Sequence, residues 1–225
     1  MQWFFERFKL EIEDLQQDLR GLELGISKRR IGDFACGWGY TTLGLMLEFQ
    51  SSECIGVDQF EKNLVLDVPS IQDVNVQFDQ VKNIVLDKTD SLNNQGIRKA
   101  LFQLFNHKRI PEFQKGDIVA GTNLPSDLDF VYCKKLLQNV FEDGYSNSCK
   151  GDEGIRKAIH NIVGAVKPGG LICLVEPSGA ILMPFLEQAG LEVIHCYRIQ
   201  RSEINGQRRN LLYKPHYTIY HCSKT

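Results

Sequence analysis

The sequence predicts an α/β fold organised on an open, mostly parallel β-sheet, and three observations point there. Residues 30–58 run strand, glycine turn, helix, strand within about 30 residues, which is the βαβ unit of such sheets. Two later apolar runs, LDFVYC at 128–133 and GLICLVE at 170–176, read as buried strands on either side of an amphipathic helix. Residues 191–199 and 217–222 then read as a closing strand pair.

Taken in order, residues 1–20 carry a helical stripe of Phe4, Phe8, Ile12, Leu15 and Leu19, with Glu6, Glu11, Glu13 and Asp14 mostly off it. Gly21 and Gly25 end the pattern, so 1–25 is an N-terminal helix that packs on the body or partly covers a ligand. The first strand is RIGDFA at 30–35, the turn is CGWG at 36–39, and a helix follows over 40–49. The second strand is ECIGVD at 53–58. A stretch from about Pro69 to Pro111 stands outside the alternation as an insertion, with a helix expected over 91–107. Beyond it, residues 151–166 place Ile155, Ile159, Ile162 and Val163 on one helical face, and KPGG at 167–170 closes that helix and opens a strand. The pentapeptide GIRKA occurs at 96–100 and again at 154–158; so short a match marks two similar helix starts rather than a repeat. A last helix over 184–189 stops at Gly190, and the closing strands are joined by a basic loop with Arg201, Arg208, Arg209 and Lys214, read as a solvated hairpin.

Composition sets the class. The chain has 225 residues, 43 % hydrophobic and 24 % charged, enough for one domain with a large core and no need of disulfides or metals. A formal net charge of -2 argues against an electrostatic nucleic-acid binder. No apolar run approaches the ~20 residues that span a bilayer, and the acids among the first residues are unlike a signal peptide. The seven cysteines include no CxxC pair, and five of them (Cys54, Cys133, Cys173, Cys196, Cys222) fall in or beside strand-like runs, where a reduced thiol behaves as a small hydrophobe. The five histidines supply no paired metal ligands, so no metal site is expected. A cytoplasmic protein is the expectation.

The chemistry-bearing residues are Asp33, Gly37, Gly39 and Asp58. A glycine turn between strand and helix lets a ligand approach the backbone, where the helix start presents free N–H groups. An acid ending the second strand can accept hydrogen bonds from ribose hydroxyls, and the interval from Gly39 to Asp58 is close to the ~20 residues of such units. A dinucleotide site needs G-x-G-x-x-G, whereas here the third glycine is Thr42. Asp33 adds a negative charge beside the turn, which would repel a pyrophosphate and attract an ammonium. S-adenosyl-L-methionine carries an ammonium and no phosphate.

In this, DFACGWG at 33–39 resembles the first motif, D-x-G-x-G-x-G, of the class I S-adenosylmethionine-dependent methyltransferases, with Ala35 in place of its first glycine. GVD at 56–58 is similar to the second motif. KGD at 115–117, NLP at 123–125 and DFVYC at 129–133 resemble the third and fourth segments, and VKPGGL at 166–171 the approach to the fifth strand. The resemblance implies a Rossmann-like, mostly parallel seven-stranded sheet with helices on both faces and an antiparallel last strand. It implies that Asp33 and the Gly37–Gly39 backbone hold the methionine part, Asp58 the ribose, and Asp117 with the Ile118 backbone the adenine. Ala35, Trp38, Gln59 and Tyr132 are further candidates for cofactor contact; Trp38, with Tyr40, either lines the cleft or packs under the loop, and Tyr132 stands at the end of the fourth strand. The interval from Asp58 to Asp117 is longer than usual; a rival third strand over 74–78 would put Asp79 in the adenine role, but the spacing of Asp117 to Asp129 suits the family better.

Methyl transfer needs mainly alignment of an acceptor lone pair in a water-poor cleft, with a general base only for an acceptor that keeps its proton. Tyr132 and Glu176, at strand ends, are the catalytic candidates, Glu176 either facing the acceptor or hydrogen-bonding a loop; His160 and His195 stand behind them, His195 in a strand-like run that favours a structural role. Cys133 reads as core rather than nucleophile. The strand-four end lacks the N/D-P-P-Y tetrapeptide of amine and amide methylators, and no Pro-Cys pair marks cytosine chemistry, so a small-molecule acceptor is expected. The insertion and the N-terminal helix are then the lid elements. A nicotinamide-dependent reductase and a non-catalytic binding protein on the same fold are the alternatives.

Overall fold

A computed structural model describes residues 11, 13–22, 29–37, 39–49, 53–59, 111–137, 140, 151–177, 182–200 and 216–225. Seven strands form one sheet in the order β3-β2-β1-β4-β5-β7-β6. They are β1 (Arg30–Phe34), β2 (Glu53–Asp58), β3 (Glu112–Lys115), β4 (Leu128–Lys134), β5 (Val166–Pro177), β6 (Leu191–Gln200) and β7 (His216–Lys224). β1 pairs in parallel with β2 and β4, β2 with β3, and β4 with β5. β7 runs antiparallel between β5 and β6, as expected of the last strand. The helices are α1 (13–18), α2 (Tyr40–Glu48), α3 (Gly151–Ala165) and α4 (Met183–Gln188).

Strand period explains the two layers. Alternate residues point to opposite faces, so Ile31, Cys54, Phe130, Tyr132, Cys173 and Val175 join Leu15 of α1 and Leu45 of α2 in one buried cluster. Phe34, Val57, Val131, Cys133, Ile172 and Leu174 meet Ile155, Ile159 and Ile162 of α3 and Leu186 of α4 in the other. Helices therefore cover both faces of a largely parallel sheet, whose central strands are apolar on both sides.

The strand limits differ from the sequence reading at β5. It begins at Val166 rather than 170, because Val166 pairs with Leu128 before the register shifts between Leu128 and Phe130. Lys224 of β7 closes α3 by donating its ammonium to the carbonyls of Val163 (3.0 Å) and Val166 (2.5 Å), the cation-at-C-terminus arrangement the helix dipole favours. The expected insertion, its helix over 91–107, the basic loop and the rival strand with Asp79 lie outside the described residues. No helix among the described residues is long and apolar enough to cross a membrane.

Candidate functional site

Parallel pairing puts the ends of β1 and β2 side by side, with Asp33 opposite Gly56 and Asp58 one pleat further on. The two-residue period aims both acids to the face that α2 covers. Both are 2 % exposed. Between them the chain leaves β1 through Ala35 (φ 60), Gly37 (φ 53) and Gly39 (φ 77), the last being the N-cap of α2. Positive φ is costly with a side chain and free for glycine, so this turn demands Gly37 and Gly39 and tolerates Ala35 under strain. The amide of Cys36 donates to the Val57 carbonyl (3.1 Å) and that of Gly37 to Asp58 Oδ2 (3.0 Å), which ties the turn to β2. A Cβ built on Gly37 meets no atom of the described residues within 4 Å.

Asp33 is held from α2. Thr41 Oγ1 and Thr42 Oγ1 each donate to Asp33 Oδ2 at 2.6 Å. Burial raises the acid from 3.8 to about 7; the two hydroxyls and Lys134 act downward, Glu11 upward. Thr42, where a dinucleotide binder has its third glycine, is itself buried. The space for the helix is made on the strand instead: a Cβ on Gly56 would lie 2.8 Å from Thr42 Oγ1 and 2.8 Å from Phe113 Cδ1.

The third strand is β3, paired to β2 with Lys115 opposite Asp58, and it leads into Asp117 as favoured on spacing. Asp117 Oδ1 accepts the amides of Val119 and Ala120 at 2.9 Å, and Asn161 Nδ2 of α3 donates to the carbonyls of Ile118 (2.9 Å) and Val119 (3.0 Å). The Ile118 side chain is core. Asn161 was not visible as a site residue; its one signal is an amide beside the apolar stripe of α3. Gln59 follows β2 half-buried, and Trp38 lies outside the described residues.

The two catalytic candidates are both buried. Tyr132 is 0 % exposed: strand period points it under α1, two residues short of the rim, where its Oη donates to Asp18 at 2.7 Å. Glu176 is 0 % exposed as well and accepts the Leu137 amide at 2.9 Å, tying the loop after β4 to β5. His160 is on the exposed side of α3, and His195 is on the edge strand β6 with its ring against His221. Burial pushes the Cys133 thiol far above its ordinary range, so it is core, as expected.

The acid that the helical stripe concealed is Asp18. It falls three positions after Leu15, on the apolar side of α1, and is fully buried. Its carbonyl accepts from Tyr197 Oη (3.1 Å) and from His221 Nε2 (2.6 Å), whose burial lowers its basicity. Lys134, at the end of β4, reaches Glu11 Oε2 and Asp14 Oδ2, both at 2.9 Å. Glu11, Asp14 and Asp18 thus pin this part of the chain to the sheet beside Asp33.

The sequence matches no protein-family model and no curated protein. The structure is similar to TrmN of Thermus thermophilus at 14 % identity, covering 97 % of this chain and 52 % of that one, with a TM-score of 0.53. It is similar to a phosphoethanolamine N-methyltransferase of Haemonchus contortus, solved with phosphomonomethylethanolamine and S-adenosylhomocysteine, at 12 % identity over 94 % of this chain and 52 % of that one, with a TM-score of 0.57. The fold is that of the class I methyltransferases. The magnesium protoporphyrin IX methyltransferase of Synechocystis, solved with bound S-adenosylmethionine, shares it at 14 % identity over 98 % of this chain and 79 % of that one, with a TM-score of 0.51. This methyltransferase-fold chain spans about half the length of the first two of these proteins.

Proposed function

We propose that the protein binds S-adenosyl-L-methionine and transfers its methyl group to a small-molecule acceptor. The observation that carries this reading is the pair of buried acids, Asp33 and Asp58, at adjoining ends of parallel strands around a turn with room for a further atom at Gly37. The donor set suits the group: a carboxylate for an ammonium, a carboxylate for a diol, and a partly buried glycine turn between them. Thr42 and Asp33 disfavour a nicotinamide dinucleotide on the same grounds.

In this reading Asp58 accepts the ribose hydroxyls, Asp33 orients the amino-acid end, and the turn after β3, shaped by Asp117 and Asn161, borders the adenine. Bound S-adenosylmethionine supplies a methyl on a sulfonium, a good leaving group. The chain's part is to exclude water and hold the acceptor in line behind that methyl. The pinned N-terminal segment and the insertion are assigned the covering role. The net charge of -2 supports a small molecule over nucleic acid, and the free cysteines, five of the six described being buried, support a cytoplasmic setting without metal.

Incubation with methyl-labelled S-adenosylmethionine and a metabolite extract tests the reading, with label expected in low-mass material. Tight cofactor binding with no transfer to any acceptor would favour the non-catalytic alternative. One observation speaks for that second reading: Tyr132 and Glu176, the nearest candidate bases, already serve Asp18 and Leu137.

A further inference from the structure

We propose that Thr41 and Thr42 are positioning residues for the cofactor's ammonium: their hydroxyls occupy Oδ2 of Asp33 and leave Oδ1 to the charged amino group. The inference rests on the S-adenosylmethionine reading and deepens it. Both described hydrogen bonds to this acid fall on the same oxygen, at 2.6 Å, from consecutive residues in the first turn of α2. Two donors on one oxygen fix the rotation of the carboxylate, since turning it would break both.

The arrangement follows from local geometry. Asp33 ends β1 on the face that α2 covers, and Gly39 starts α2 so that its first turn passes over that carboxylate. Thr42 approaches β2 closely enough that a Cβ on Gly56 would clash with its hydroxyl. Buried without these donors, a carboxylate in this apolar layer would favour its neutral form, which has no charge to offer an ammonium. Each hydroxyl stabilises the ionised form.

The charged groups facing Asp33 are Glu11 of the N-terminal segment and Lys134 of β4, which act in opposite directions. The other titratable neighbours are the thiols of Cys36, Cys54 and Cys133, from the turn, β2 and β4. Burial pushes all three far up, so they stay neutral through the physiological range. With Asp33 raised to about 7, ammonium binding strengthens as pH rises through neutrality.

The experiment compares S-adenosylhomocysteine, which has the amino-acid end, with methylthioadenosine, which keeps the adenosine and thioether but lacks it. Calorimetry is run on wild type, Thr41→Val, Thr42→Val and Thr42→Ser between about pH 5.5 and 7.5, where an α-amino group stays charged. Wild type is expected to bind S-adenosylhomocysteine less tightly toward pH 5.5 and methylthioadenosine equally at all pH values. Each valine variant should weaken S-adenosylhomocysteine about tenfold and move its pH midpoint upward, with methylthioadenosine unchanged and serine restoring wild-type behaviour. Thr41 is only partly buried, so Thr41→Val decides the matter even if Thr42→Val misfolds. Equal weakening of both ligands, or an unmoved pH midpoint, would overturn the positioning role while leaving the cofactor reading intact. Failure of wild type to bind either ligand would remove both.

Discussion

Asp58 Oδ2 accepts the Gly37 amide at 3.0 Å, so one side chain ties the turn after β1 to the end of β2. The carboxylate is buried at the end of β2, and its own backbone carbonyl accepts the Gly116 amide that starts the loop after β3. Asp58 therefore joins three loops at the carboxyl edge of the sheet, where open α/β sheets bind ligands.

Replacing it separates those roles. Asp58→Ala is expected to weaken S-adenosylhomocysteine binding by about 1–3 kcal/mol, through loss of a charge-assisted hydrogen bond. Asp58→Asn retains an acceptor for Gly37 and should keep the thermal stability of wild type while still losing affinity. Calorimetry and thermal melts on the two variants make the comparison.

Asp33 links pH to stability. Its folded value lies above the ordinary 3.8, at about 7, so the folded protein holds a proton that the unfolded chain releases in that window. Its contribution is full below about pH 4 and is lost as pH rises through 7. Asp33→Asn should therefore be more stable than wild type at pH 8, by roughly 1–3 kcal/mol, with the gain vanishing toward pH 4. The same variant should lose cofactor affinity. Denaturant midpoints across pH show the first effect; a variant less stable than wild type at pH 8 would refute it.

Tyr132 separates structure from chemistry. Tyr132→Phe removes the hydroxyl that Asp18 accepts and leaves a buried carboxylate poorly satisfied. A loss of about 1–3 kcal/mol in stability is expected, with faster amide exchange over residues 13–22. Turnover measured well below the melting range should stay within a few-fold of wild type; a collapse of kcat in a stable variant would restore Tyr132 as a catalyst.

Ala35 sits at φ 60 where the family resemblance has glycine. Ala35→Gly should relieve left-handed strain worth roughly 1 kcal/mol, partly offset by unfolded-state entropy, for a net change between zero and a small gain in melting temperature. A clear loss of stability would mean that the Ala35 methyl packs more than it strains.

The parts legible in the sequence were those with local signatures. ECIGVD gave β2 to the residue, because a short apolar run bounded by polar residues leaves little latitude in register. The glycine turn and its two acids were legible because backbone conformation and charge are fixed by residue type at each position. The partners of Tyr132 and Glu176, Asp18 and the Leu137 amide, were not legible, because strand-end location says nothing about which face a side chain takes or what it meets there. Asp18 shows the same limit from the other side: its carboxylate is buried by contact with Tyr132, 114 positions along the chain, which no helical period reveals. Thr41 and Thr42 read only as a missing glycine, and their bond to Asp33 became visible once β1 and α2 were placed together.

The most direct test is a crystal structure of the protein grown with S-adenosylhomocysteine. Ligand density is expected over the Gly37–Gly39 turn, with ribose hydroxyls within hydrogen-bond distance of Asp58 and the amino group at Asp33 Oδ1. Density elsewhere, or a bound ligand whose ribose and amino group ignore both acids, would contradict it.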